Sequence, residues 1–317
     1  MNQARAESAG PVQLVRQSVG ALLDGIVDYA GLFPPASLDM PTTVRNYAAY
    51  LRDDPDSWML SRLVVPAARL DEFEAAARGV MPAEAEDDPW IISALVSGAG
   101  DAKLADEIAR IERFNLDHAD CRAGLALVDV IELKGDDAAA IDASLEAIPD
   151  ELFPFYEIDW RSDPRGKIAA LVGNDAGAKV RTGGVDPRNR ALIPGVAELA
   201  RFIAACAATD VPFKATAGLH HPMRHFSNAV GADEHGFLNV FIAAALANIK
   251  RIGEEEIREA LAETDAAAFT FHEQEIIWRD QRLVLDEIEE TRSFFAISFG
   301  SCSFTEPRDD LKGLGLV

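Results

Sequence analysis

Lys179 and Lys214 each sit where a short apolar run breaks into a glycine-containing turn: Ala178-Lys-Val-Arg-Thr-Gly-Gly184 and Pro212-Phe-Lys-Ala-Thr-Ala-Gly-Leu-His-His221. In a barrel of alternating strands and helices this interval is about one βα unit, so adjacent strands would carry the two side chains side by side. One ammonium beside another disfavours the second charge and lowers its pKa. A lysine that is partly neutral near neutral pH attacks a carbonyl carbon and forms a Schiff base.

Those lysines need strands to carry them. Apolar runs with β character are expected at 25–32, 60–65, 90–96, 123–131, 155–160, 178–181, 212–215 and 295–298, with helical periodicity at 42–51, 70–78, 102–114, 138–147 and 196–208. Turn and capping residues such as Ser37-Leu-Asp-Met-Pro41 and Asp186-Pro187 open several helices. Eight strands with helices between them and no linker describe a single-domain (β/α)8 TIM barrel spanning residues 1–317. An open doubly wound sheet is the rival, but no Gly-x-Gly-x-x-Gly follows the first strand. Residues 1–22 read as an N-terminal helical extension, 265–280 as a β-hairpin inserted before the last helix, and 305–317 as a C-terminal tail.

In such barrels the reactive groups come from the C-terminal ends of strands. Those ends carry Asp28, Asp129, Glu132, Glu157, Asp159, Lys179, Arg181, Lys214, His220 and His221, and the last strand runs into Gly300-Ser301-Cys302-Ser303-Phe-Thr-Glu306. Glu157 and Asp159, at i and i+2, face the same way on a strand and pair equally well with Lys179 and Arg181. Cys302, with no assigned base, reads as a small packed residue, and Phe33-Pro-Pro35 as a rigid loop. His118, His225, His235 and His272 read as loop or surface residues.

Composition bounds the partners. Hydrophobic residues make up 49% of the 317, enough for a full core. A net charge of −23 argues against nucleic acid, whose phosphates need a basic surface. No apolar run approaches the roughly 20 residues that span a bilayer, and the N-terminus does not read as a signal peptide. Three scattered cysteines fit a reducing, cytoplasmic setting better than a disulfide framework. A small-molecule carbonyl substrate is the expected partner, with no cofactor and no metal; a homo-oligomer is left open.

The chain resembles the class I deoxyribose-phosphate aldolase family, in chain order. The family's Schiff-base lysine lies in Lys-Thr-Ser-Thr-Gly, which Lys179-Val-Arg-Thr182-Gly183 is similar to; its second lysine lies in Phe-Lys-x-x-Gly-Gly, similar to Phe213-Lys214-Ala-Thr-Ala217-Gly218. Phe299-Gly300-Ser301-Cys302-Ser303 resembles the family's last strand, and Asp28-Tyr-Ala-Gly-Leu32 its first. The resemblance implies Asp129, in Val128-Asp-Val-Ile131, as the proton carrier, although its interval to Lys179 is shorter than the family's layout. Glu157 and Asp159 are the alternatives. Two positions depart: Gly184 stands where the family has a phosphate-binding lysine, and Ala217 replaces a glycine.

The implied activity is a class I (Schiff-base) aldolase-like lyase acting beside a carbonyl in a polyhydroxylated or anionic substrate. Lys179 is the nucleophile, Lys214 its electrostatic partner, and Asp28 a further site residue. Thr182, Gly183, Gly218, Gly300, Ser301 and Ser303 would hold the substrate's tail, with Arg181, His220 and His221 replacing the missing cation. A metal-dependent lyase, isomerase or hydrolase built on Glu157, Asp159, His220, His221 and Glu306 is the second reading, and a non-catalytic binding barrel the third. The first depends on both lysines, the second on the histidines.

Overall fold

A computed structural model of the chain describes residues 15–84, 86–184 and 192–317; the expected helix opening at Asp186-Pro187 and residues 1–14 of the N-terminal extension lie outside them. The chain runs α1 (Gln17–Leu23), β1 (Val27–Tyr29), α2 (Met40–Asp53), β2 (Leu60–Pro66), α3 (Leu70–Ala77), β3 (Trp90–Leu95), α4 (Leu104–Asp117) and β4 (Ala126–Lys134). It continues with α5 (Ala138–Leu145), β5 (Phe153–Glu157), α6 (Arg165–Ala169), β6 (Gly177–Arg181), α7 (Val196–Thr209) and β7 (Phe213–Thr216). A long excursion follows: β8 (His225–Ser227), β9 (Ala232–Glu234), α8 (Phe237–Ala245), α9 (Glu254–Ala262), β10 (Phe269–Phe271), β11 (Glu275–Trp278), β12 (Gln281–Val284) and α10 (Leu285–Phe294). The chain then returns as β13 (Ala296–Ser301) and ends in α11 (Thr305–Gly313).

Eight parallel strands close in the order β1-β13-β7-β6-β5-β4-β3-β2, each followed by at least one helix, which is a (β/α)8 TIM barrel. Among the described residues no helix is long and apolar enough to cross a membrane.

Local sequence explains the helices. Asp39 caps α2 by accepting from the Thr42 N–H at 2.8 Å, and Pro41 sits in the first turn, where its missing N–H costs nothing. Met40, Thr43, Val44, Tyr47 and Ala48 then form one buried face at helical spacing. On the strands, period two decides what enters the lumen. In β6, Ala178 and Val180 pack outward under the helices while Gly177, Lys179 and Arg181 alternate with them. Gly177 has no side chain because a Cβ there would lie 2.4 Å from the Phe155 ring, which fills the space beside it.

Several boundaries differ from expectation, and two decide the chemistry. Strand β4 begins and ends three residues later than its apolar pattern suggests, so it carries Glu132 inside the barrel. Strand β5 stops at Glu157, which leaves Asp159 in the following loop. The expected hairpin is a three-stranded antiparallel sheet, β10-β11-β12, ahead of α10. Residues 305–317 are not a tail: α11 is the helix that completes the eighth βα unit. The β8-β9 hairpin has no counterpart among the strands that the sequence pattern suggests.

His118 and His235 are buried rather than on the surface. His118 Nδ1 bonds the Gly124 carbonyl at 2.9 Å. His235 Nε2 donates to the Pro194 carbonyl at 2.8 Å and ties the end of the β8-β9 excursion to the start of α7. Burial pushes the His235 pKa down to about 4, against a smaller opposing pull from the Pro194 bond; Arg224 and Asp233 are the charged groups facing it. The folded chain therefore binds fewer protons here than the unfolded chain, and the resulting stability is complete above the ordinary histidine value and lost as pH falls through the folded one. Urea unfolding should show about 2 kcal/mol less stability at pH ~5 than at pH ~7 from this group alone. That increment should vanish in His235→Gln; equal pH dependence in the variant would assign it elsewhere.

Candidate active site

The lumen holds a layer of charged side chains assembled from five strands, β1, β4, β5, β6 and β7. Lys179 on β6 and Lys214 on β7 are register partners, so the two lysines do stand side by side. Between them lies a carboxylate. Glu132 of β4 receives Lys214 Nζ on Oε1 at 2.5 Å and Lys179 Nζ on Oε2 at 2.9 Å, while the Ser93 hydroxyl of β3 donates to Oε1 at 2.7 Å. Asp28 of β1 takes Lys214 Nζ at 2.6 Å and the Ser298 hydroxyl at 2.6 Å on Oδ2, and the Arg62 backbone N–H at 3.1 Å on Oδ1. Glu157 of β5 lies 2.8 Å from Lys179 Nζ and 3.3 Å from Arg181 Nε. Three carboxylates thus face three cations within one connected network.

This reverses the expected electrostatics. Burial alone would lower both lysines, but the carboxylates outweigh it: Glu132 and Glu157 hold Lys179 above the ordinary lysine value, and Asp28 and Glu132 hold Lys214 above it. The same contacts, led by Lys179 and Lys214, draw Glu132 far below the usual carboxylate range despite the opposing cost of burial. Lys179 and Arg181 lower Glu157 likewise. Proximity brings the lysines together without making either one neutral, because each ammonium's nearest charge is negative.

A cavity of about 610 Å³ opens above this layer, at the C-terminal ends of the strands. Lys179, Glu132, Arg181, Thr216, Gly300 and Cys302 form its floor and walls. Phe33, Pro34 and Pro35 close one side, so the rigid loop read in the sequence is a wall of the cavity. Lys214 is 1% exposed and does not line the cavity. The two lysines are therefore not equivalent: one faces the cavity and the other is enclosed by carboxylates.

Of the other expected residues, Asp28, Glu157, Arg181, Gly218, His220, His221 and Gly300 belong to the cluster or to the cavity wall. Asp129 does not. It makes a bidentate pair with Arg62, at 2.8 and 2.6 Å, in a separate hollow of about 800 Å³ lined also by Tyr47 and Trp90. A bulge in β4, where consecutive β3 residues Ile92 and Ser93 pair with Val128 and Val130, leaves Asp129 without a β3 partner, while Glu132, three residues on, enters the lumen. Asp159, beyond the end of β5, is half-exposed and pairs with Arg161 at 3.0 Å.

Thr182 is fully buried, and its hydroxyl donates to the Ala217 carbonyl at 2.5 Å. Gly183 meets Gly218 backbone to backbone: a Cβ on Gly183 would stand 2.6 Å from the Gly218 Cα. Thr182 and Gly183 thus join the loops after β6 and β7 and do not line the cavity. The Ser301 hydroxyl donates to the Ser303 carbonyl at 2.6 Å, and Ser303 Oγ accepts from the Glu306 N–H at 3.1 Å, so both serines shape the entry to α11.

The histidine pair splits. His221 Nδ1 lies 2.5 Å from Asp310, while His220 Nδ1 lies 3.0 Å from Glu306 with its Nε2 3.9 Å from the Cys302 sulfur. The metal-centred reading fares poorly on this geometry, since Glu157, Asp159, His220 and His221 each engage a different ionic partner. Among the described residues no group of three or more His, Cys, Asp or Glu side chains is arranged to hold a metal ion.

The residues sequence reasoning undervalued are Glu132, visible only as a polar residue near a strand end, and the Cys302–His220–Glu306 contact, which has no local sequence signal. No protein-family model matches this chain, and no curated protein matches it.

Lys214→Met would leave Asp28 and part of Glu132 buried without a cation, and should lower unfolding stability by about 3–5 kcal/mol in chemical denaturation. The double replacement Lys214→Met with Asp28→Asn should recover part of the loss; no recovery would mean that the two charges are not coupled.

Proposed function

We propose that the chain is a class I lyase that forms a Schiff base at Lys179 and makes or breaks a carbon–carbon bond beside a carbonyl of a small polyhydroxylated or anionic substrate. One observation carries the reading: of two adjacent buried lysines, only Lys179 borders the cavity, and its Nζ lies within 3 Å of two carboxylates, at 2.9 and 2.8 Å. The resemblance of residues 178–184 and 212–218 to deoxyribose-phosphate aldolases points the same way, and a TIM barrel with its polar groups at the C-terminal face is a common setting for such chemistry.

The resting amine is protonated, so a proton must leave before attack. Glu157, 2.8 Å from Lys179 Nζ, is the acceptor that the contacts favour. As nitrogen bonds to the carbonyl carbon, the π pair moves to oxygen, and a second N–H proton passes to that oxygen to give the carbinolamine. The carboxylic acid then returns its proton to the hydroxyl, which departs as water as the nitrogen lone pair forms the C=N bond. The resulting iminium accepts the electron pair released when the adjacent bond breaks. Glu132 stays ionised between the two lysines and stabilises the cationic intermediate. Arg181, 40% exposed at the rim, is a cation available to an anionic tail where Gly184 replaces the family's lysine. The substitution argues for a substrate other than a sugar phosphate.

Incubation with acetaldehyde, pyruvate or dihydroxyacetone followed by borohydride reduction should leave a stoichiometric adduct on Lys179 by peptide mass spectrometry, and none in Lys179→Arg. If no carbonyl is trapped at any lysine, the charged layer is structural and the barrel a ligand-binding one. The trapping rate should also climb with pH, by about tenfold per unit while Lys179 stays mostly protonated. A plateau below pH ~8 would instead reveal an amine already neutral at rest.

A further inference from the structure

We propose that Cys302, His220 and Glu306 form a second nucleophilic centre on the wall of the same cavity, one that captures the carbonyl carbon of a small aldehyde as a hemithioacetal. The three residues come from different elements. Cys302 follows β13, Glu306 lies in the first turn of α11, and His220 stands in the loop after β7. All three line the cavity.

Their order is that of a nucleophile, its base and the group that orients the base. The Glu306 carboxylate accepts from Nδ1 of His220 at 3.0 Å, so the ring proton belongs on Nδ1 and the lone pair of Nε2 points toward the Cys302 sulfur, 3.9 Å away. That separation is the outer limit for a thiol hydrogen bond, and such contacts commonly tighten when ligand arrives. Burial pushes the Cys302 thiol up, against a smaller opposing effect from the Ala36 backbone N–H. The group therefore rests as a thiol and depends on the imidazole for activation.

The step balances without an oxidant. The thiol proton passes to His220 Nε2 as sulfur bonds to the carbonyl carbon. The π pair moves to oxygen, and the imidazolium returns the proton there. The Glu306 carboxylate, hydrogen-bonded to Nδ1, steadies the imidazolium meanwhile. The other two free cysteines lack this arrangement: Cys206 is fully buried in α7, and Cys121 has no histidine contact among the described residues. The chemistry at Cys302 needs no amine, so it stands apart from the Schiff-base proposal.

The test is alkylation of the full chain by iodoacetamide near neutral pH, followed cysteine by cysteine with peptide mass spectrometry. Cys302 should react faster than Cys121 and Cys206. His220→Gln should slow it by about tenfold or more, and Glu306→Gln, at a carboxylate 54% exposed to solvent and so safe for folding, by about threefold or more. Millimolar glycolaldehyde should protect Cys302 in the wild type and equally in Lys179→Arg, where no imine can block the cavity. Unchanged alkylation in Glu306→Gln and His220→Gln would overturn the activation, and protection that disappears in Lys179→Arg would show that aldehyde reaches the lysine alone.

Discussion

The structure turns on one carboxylate shared by two ammonium groups. Glu132 has both oxygens committed, one to Lys214 and Ser93 and the other to Lys179, inside a lumen from which bulk water is largely excluded. Desolvating an ion costs several kcal/mol even after relaxation, and close opposite charges repay that only when the geometry is good and the remaining lone pairs are satisfied. Here they are: Asp28 completes the shell of Lys214, and Glu157 that of Lys179. A chain carrying a net charge of −23 thus builds a centre in which the named carboxylates and cations balance.

That balance constrains what surrounds it. Ser93, Ser298 and the Arg62 N–H satisfy oxygens that would otherwise be bare, and the Phe155 ring lies 5.6 Å from Lys214 Nζ, supplying an aromatic face beside the enclosed ammonium. Gly177 yields its side-chain space to that ring. Above the layer, Gly183 and Gly218 let two loops touch backbone to backbone, and Thr182 fastens them through the Ala217 carbonyl. Ala217 itself, at φ +64, holds a left-handed conformation that disfavours a side chain. The motif residues that look like ligand contacts in sequence are in part the joinery that keeps the mouth in shape.

Buried charge that adds little net stability is more readily understood as chemistry than as architecture. The asymmetry of the site fits that view, since the same network presents one lysine to the cavity and withholds the other. Across the cavity, a thiol, an imidazole and a carboxylate stand in line on loops that only the barrel brings together. One pocket would then offer two ways of holding a carbonyl, nitrogen from the floor and sulfur from the wall.

The (β/α)8 order was legible because alternating apolar runs and helical periodicity extend along the chain, and β-strand period two predicts which of Ala178, Lys179 and Val180 turns inward. The lysine pair was legible too, because an interval of one βα unit places residues on neighbouring strands. What sequence could not decide was register and the sign of the local field. Asp129 and Glu132 lie on one strand, and a bulge at Asp129 in the pairing with β3 leaves Asp129 to Arg62 while Glu132 stands between the lysines. The pKa of a lysine depends on its nearest charges in space, so two adjacent ammonium groups suggested depression where the carboxylates from β1, β4 and β5 produce elevation. His220 and Cys302 meet for the same reason: barrel closure joins β13 to β7, and no local pattern in either segment records that neighbour. Composition and periodicity determined the scaffold and the residues available at its mouth; the closed sheet decided which of them touch, because contacts between distant segments follow from strand pairing rather than from local sequence.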